Sequence, residues 1–334
     1  MHRLPLLYVR LAVRALLLAA LLAPAWAPAQ QVRTQDGAAE LARKANAGST
    51  EAGAALEALA KSGDTVAEYY MGMLFLAGKA VPRDEKLAIE WLSRAARKEY
   101  LEAAYDLAVV FERSRGPMRS PRQALRWYEF AAERGFARSQ SNLAYMLFLG
   151  AGTPKDLPAA KKWLERAVAQ NDPRGQYLLG SMMLEGDGVE RDVAGGWRLI
   201  GLAANGGDID AQYRLALAHG SGVGAEKDES QALAWLRKAA AGGQSEAQYL
   251  LATMYTRGAN GVPKDAAEGF KWLRRSAEQG YAVAQYYLGV AYLEGAGVEP
   301  DQQRAVAWIS EAARQGYKGA EELLKRANAG RTTP

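Results

Sequence analysis

The sequence predicts an all-α solenoid, built from helix-turn-helix units of about 36 residues stacked in a row. Two coupled ladders and one recurring turn predict it. Seven of the eight tryptophans form the first ladder: Trp91, Trp127, Trp163, Trp197, Trp235, Trp272 and Trp308, at gaps of 36, 36, 34, 38, 37 and 36. Small residues form the second: Ala67, Ala103, Ser139, Gly175, Ala211, Ala247, Ala284 and Ala320, 36 apart except for one gap of 37. The turn reads Gly-x-Gly-x-x-x-Asp, in full at Gly186, Gly188 and Asp192 and again at Gly295, Gly297 and Asp301. Ladders locked to one period make each period a unit that buries its apolar face against the next.

Taken in chain order, the first element is an export signal. Arg3, Arg10 and Arg14 precede the uncharged run Ala15–Ala23, and small-x-small cleavage patterns follow at Ala25 to Ala27 and Ala27 to Ala29. Cleavage is expected after Ala29, because Pro28 disfavours the earlier site. The apolar run is short of the roughly 20 residues that span a bilayer, although retention as an anchor stays open. Removing residues 1–29 takes away three Arg and no acid, which lowers the net charge of +5 to +2. Residues 30–63 read as an N-terminal helical cap, 64–319 as seven repeats, and 320–334 as a C-terminal capping helix and tail.

Within a repeat, the first helix can be numbered from its small residue. Four places on stands an apolar residue (Met71, Leu107, Leu143, Leu179, Leu215, Leu251, Leu288) and five places on a small one. Offset 8 carries Phe75, Phe111, Leu147, Met183, His219, Tyr255 and Tyr292. Offsets 0, 4 and 8 are expected to form the inward stripe. Tyr recurs at offset 2 and is expected to bridge neighbouring repeats with its ring buried and its hydroxyl bonded. The turn follows: Gly closes the helix in the left-handed conformation, and Asp caps the next helix. The second repeat uses Ser120 and Pro121 instead. The second helix reads Ala-x-x-Trp-x-x-x-Ala-Ala-x-x-Gly, as at Ala124, Trp127, Ala131, Ala132 and Gly135, with Trp expected to fill the space inside the hairpin. The fourth repeat departs. Gly195, Gly196 and Gly201 surround Trp197, and its helix starts two residues closer to the Trp, so a weak point or a bend is expected there.

These repeats resemble the Sel-1-like repeat, a relative of the tetratricopeptide repeat, over about residues 64–330. The resemblance implies antiparallel helix pairs stacked into a right-handed superhelix with a concave inner face, and a role in holding other proteins. Some cysteine-rich bacterial members are described as β-lactamases or penicillin binders; they carry paired Cys in each repeat, and this chain has no Cys.

Composition narrows the function further. Apolar residues at 49% and charged residues at 24% describe a folded chain. Without Cys there is no disulfide, zinc-thiolate site or cysteine nucleophile. A near-neutral mature body gives no footprint for nucleic acid. The two histidines are His2, in the signal, and His219, whose place in the repeat is a packing position; no further ligands stand at metal-binding spacing. The Gly-x-Gly loops follow helices and lack the Lys-Ser/Thr ending of a phosphate cradle. No catalytic residue and no cofactor are expected. With no Asn-x-Ser/Thr site and no retention signal, the expected location is the bacterial periplasm.

On this reading the chain is a periplasmic scaffold for an envelope protein or extended peptide. A binder of peptidoglycan or polysaccharide is the alternative, and a cell-wall enzyme a further one. If the first helices line the concave face, offset 3 points to the partner. Its occupants vary sharply: Tyr70, Asp106, Asn142, Leu178, Arg214, Leu250 and Tyr287. They are either a ligand-reading strip or ordinary surface, with Tyr70 and Tyr287 as anchors in the first case.

Overall fold

The computed structural model describes residues 27–114 and 116–329. The expected export signal lies outside them up to residue 26, as does the tail beyond 329. Among the described residues every regular element is helical. The chain divides into two compact units, 1–136 and 137–334.

In the first unit, α1 (Ala27–Asn46) and α2 (Thr50–Lys61) form a pair ahead of the repeats. Two hairpins follow: α3 (Thr65–Ala77) with α4 (Glu85–Arg97), and α5 (Leu101–Arg113) with α6 (Pro121–Glu133). The second unit holds five hairpins: α7 (Ala137–Leu149) with α8 (Leu157–Ala169), α9 (Pro173–Glu185) with α10 (Val193–Asn205), α11 (Ile209–Ser221) with α12 (Glu229–Ala241), α13 (Ser245–Arg257) with α14 (Ala266–Glu278), and α15 (Ala282–Glu294) with α16 (Gln302–Arg314). The single helix α17 (Lys318–Ala329) packs on α16. Within each unit the second helices pack on their own partners and on the next first helix, and the first helices α7 and α9 also touch.

The turn chemistry explains why thirteen-residue helices start and stop where they do. Asp156, Asp228 and Asp301 each accept a backbone N–H from the third residue of the following helix at 2.9 Å, and Ser120 does so for α6 at 3.3 Å. Gly186, Gly222 and Gly295 close α9, α11 and α15 at φ of 79°, 77° and 73°, where an L side chain is strained. The second glycine of the turn has a different reason. A Cβ on Gly297 would run into the carbonyl of Ala266 in the preceding repeat, so this loop seats directly on its neighbour.

In the first four repeats the inward stripe runs through offsets 0, 4, 5 and 7, not 0, 4 and 8, whereas in the seventh Tyr292 at offset 8 is buried. Leu74, Val110, Met146 and Met182 at offset 7 are buried, whereas Phe75, Phe111, Leu147 and Met183 at offset 8 are half-buried. At about 100° per residue, offset 7 falls about 20° from offset 0 and offset 8 about 80° from it. On the second helix the same geometry displaces the tryptophans. Trp91, Trp127, Trp163 and Trp235 are half-buried, and the residue after each (Leu92, Tyr128, Leu164, Leu236) fills the hairpin. Four of the indoles are covered by a cation three places on in the same helix: Arg94, Arg166, Lys238 and Arg275, at 4.6, 4.6, 3.9 and 4.6 Å from the ring centre.

The fourth repeat is also recast. The buried set Gly196, Ile200, Ala203 and Ala204 puts Leu199, not Trp197, in the tryptophan slot. The 34 and 38 gaps then become 36 and 36. The helix is continuous from Val193 to Asn205. Gly180 and Gly196 face each other: a Cβ on either would come within 2.9 Å of the other's carbonyl. Two of the glycines therefore allow a close helix approach, rather than a break. Trp197, two places early, lies flat on Gly224 of the next turn.

A ladder of buried Gln ties the later hairpins of the second unit to one another. The side-chain amides of Gln212, Gln248 and Gln285 donate to the carbonyls of Ala204, Ala240 and Ala277 at 3.1, 2.9 and 3.2 Å, which satisfies acceptors at the end of the preceding helix. Gln279 and Gln315 donate in turn to Gln248 and Gln285, both at 2.7 Å.

Candidate functional site

The variable offset-3 residues do not form one strip. In the first unit, the Tyr70 ring lies 5.1 Å from that of Tyr69, and Asp106 accepts the Tyr69 hydroxyl at 2.9 Å. This bond shows Tyr at offset 2 linking repeats, with its ring half-buried rather than buried. Burial, and then the Asp106 charge, push the Tyr69 hydroxyl pKa up. In the second unit, Asn142 is half-buried. Leu178 and Arg214 share one cleft, Leu250 lines a second of about 270 Å3, and Tyr287 a third of about 180 Å3. Of the seven, Tyr287 alone is largely exposed, at 42%.

The Leu178–Arg214 cleft is the largest of these, at about 550 Å3. Its walls come from the first helices α7, α9 and α11 and from the start of α13. Tyr145, Phe148, Tyr177 and Tyr213 supply aromatic surface, and Leu178 and Leu217 supply aliphatic surface. Leu217 is 46% exposed, which is high for a Leu in the middle of a helix.

Two ion pairs cross the cleft between consecutive repeats. Arg174 donates to Asp210 at 2.6 Å and lies 3.8 Å from Asp208. Its guanidinium is 5.6 and 5.4 Å from the ring centres of Tyr145 and Tyr177. Arg214 runs the other way, donating to Glu185 at 3.0 Å and Ser181 at 3.2 Å. Trp197 stands 5.9 Å from this second guanidinium, so the displaced tryptophan supports a residue of the cleft.

Burial alone would lower the Arg174 pKa. The hydrogen bond to Asp210 and the charges of Asp208 and Asp210 outweigh it and leave the pKa raised. Asp208 caps α11 through the Ala211 N–H at 2.8 Å. Burial pushes its carboxyl above the ordinary range, against the pull of that N–H and of Arg174.

Sequence reasoning missed Arg174 and Asp210. The signal was present one place before the small residue, where Val66, Glu102, Arg138, Arg174, Asp210, Glu246 and Val283 vary as widely as offset 3 does. His219 sits half-buried with its Nδ1 3.0 Å from the Glu226 carbonyl oxygen, inside the turn. Among the described residues no group of three or more His, Asp or Glu is placed to hold a metal, and no helix is long and apolar enough to cross a membrane.

Stacked hairpins with their first helices lining clefts define a helical-repeat protein of the kind that presents extended surfaces. Comparison with known proteins places it more narrowly. The Sel1 repeat family model matches seven consecutive segments: 65–100, 101–136, 137–172, 173–208, 209–244, 245–281 and 282–317. The chain belongs to the Sel1 repeat family, whose members are in general scaffolds for protein–protein interaction. It is similar to a Sel1 repeat protein from Oxalobacter formigenes, with 32% identity over 91% of this chain and 90% of that one and a TM-score of 0.58. It is also similar to c5321, a protective antigen of uropathogenic Escherichia coli strains with the same repeat fold, at 30% identity over 79% of this chain and a TM-score of 0.51. The chain spans 56% of the length of c5321. No curated protein matches it significantly.

Proposed function

We propose that this chain is an exported, non-catalytic scaffold of the bacterial cell envelope, which holds a partner protein against the first-helix face of its repeats. The observation that carries the reading is the cleft of the second unit. Four successive repeats contribute to it from one side, and it joins aromatic walls to fixed polar groups, the composition of a recognition surface. Its arginines are held in ion pairs that tie neighbouring repeats together, which suits a rigid docking surface better than a reacting centre. Export rests on the basic, apolar and small-x-small order of residues 1–29.

Two experiments test this. Leu178→Ser/Leu217→Ser is compared with the second-helix control Arg237→Ser in capture from envelope fractions. The reading expects a partner lost from the first variant and kept by the second; equal recovery with both would remove the cleft from the account. Fusing residues 1–40 to a leaderless alkaline phosphatase is expected to give phosphatase activity in intact cells, and an inactive fusion would remove the envelope location.

A further inference from the structure

We infer that the cleft between α7, α9, α11 and α13 takes an extended peptide segment bearing a basic residue at each end of a short apolar stretch. The inference rests on the scaffold reading and adds the chemistry of the partner. Two cations and four carboxylates line the cleft: Arg174 and Arg214 against Glu185, Asp187, Asp210 and Glu246. Each guanidinium is already matched, Arg174 by Asp210 at 2.6 Å and Arg214 by Glu185 at 3.0 Å. What remains is negative. Asp187 is one excess carboxylate. Glu246 is the other, and it accepts hydrogen bonds only from neutral donors, the Gln244 amide at 2.7 Å and the Ser245 hydroxyl at 2.8 Å. The cleft thus turns an anionic face to the ligand.

Position sharpens the charge argument. Asp187 follows the C-terminal end of α9, and Glu246 stands in the first turn of α13. First helices of successive hairpins run in the same direction, so these carboxylates lie at opposite edges of a helix layer about 20 Å deep. Between them stand Phe148, Tyr177, Leu178, Tyr213 and Leu217. The carboxylates also stand two helices apart, so at about 9 Å per helix step the diagonal between them is about 27 Å. Roughly eight residues of extended chain at about 3.3 Å each, or about seven with a long basic side chain at each end, would cover it. Alternate side chains of such a strand can press on the apolar wall while its two ends meet the carboxylates. The two ion pairs hold α9 and α11 together beneath it, so little ordering is left to the moment of binding.

The test uses the full chain and three fluorescein-labelled heptapeptides: Lys-Leu-Ser-Leu-Ser-Leu-Lys and the same sequence with both Lys replaced by Gln or by Glu. Fluorescence anisotropy is read at low and at high salt. The Lys peptide is expected to bind at least tenfold more tightly than the Glu peptide. That preference is expected to shrink at high salt and to collapse in Asp187→Asn/Glu246→Gln, whose exchanges keep size and leave helical circular dichroism unchanged. Leu217→Ser is expected to weaken all peptides that bind. If the Gln peptide matches the Lys peptide and Leu217→Ser weakens both, the charge inference falls while the groove reading stands. If no peptide binds, or Leu217→Ser changes nothing, the inference also falls, and the capture experiment decides the groove reading on its own.

Discussion

The junction between α9–α10 and α11–α12 and the junction between α13–α14 and α15–α16 are built on one plan and joined by different chemistry. In the later junction the link is neutral. Gln285 reaches the Ala277 carbonyl at 3.2 Å, as Gln212 reaches that of Ala204 at 3.1 Å in the earlier junction, and the rings of Tyr249 and Tyr287 lie 5.7 Å apart. In the earlier junction a charged layer is added to the Gln bond. Its bars run from Arg174 to Asp210 and from Arg214 to Glu185. The hydrophobic register is the same in both. What differs is the polar layer, and the charged version coincides with the Leu178–Arg214 cleft. The repeat therefore separates two tasks: the apolar stripe builds the stack, and the variable polar positions give each junction its character.

If the stack is common to both junctions, core truncations should cost both alike. Ile200→Ala and Leu288→Ala each remove a fully buried side chain, and each should lose about 2–5 kcal/mol in urea unfolding. A large loss at only one of them would break the comparison. Gly224→Ala comes next. It forces a side chain onto a backbone at φ of 88° and into the Trp197 indole, so a loss of about 1–3 kcal/mol is expected, and Trp197→Ala in the same background should recover part of it.

The polar layers should differ in salt dependence. Gln285→Ala should cost about 1 kcal/mol at any ionic strength. Asp210→Asn should cost a similar amount in dilute buffer and less at 1 M salt, because the pair it breaks is partly exposed and screened. Equal salt dependence of the two would contradict the assignment of charged and neutral junctions.

The smallest effect is a pH slope at Asp208. Its folded pKa is raised by burial, so the native state binds this proton more tightly than the unfolded chain does. Keeping the carboxylate charged costs stability at neutral pH, and the cost is relieved as pH falls through the folded pKa toward the unfolded value near 3.9. Asp208→Asn keeps the cap and removes the titration. Its Tm relative to the wild type should be highest at neutral pH, with the advantage shrinking on acidification. An advantage that grows toward low pH would reverse the sign of the argument.

Much of this architecture is legible in the residues. The period, the Asp and Ser caps and the left-handed glycines are local, each set by a few adjacent positions, and they stand where the ladders put them. Three features needed the structure. The fourth tryptophan was read by identity, although the buried Gly196, Ile200 and Ala204 around it give the slot to Leu199. The inward stripe was read at offset 8, where helical drift carries it off the core. Each ion pair of the cleft draws on two repeats, and a single period cannot show that Arg174 meets Asp210, 36 residues on. Leu178 and Arg214 were legible because they vary where the architecture repeats; Arg174 and Asp210 vary as much one helical turn away.

The most direct test of the central claim, that the first-helix face is the partner surface, is site-specific photocrosslinking in living cells. A benzoylphenylalanine placed at Leu217 lies in the cleft, and one at Arg237 lies exposed on the second-helix side. The account predicts a discrete protein adduct from position 217 and none from 237. The same adduct from both positions, or from 237 alone, would contradict it.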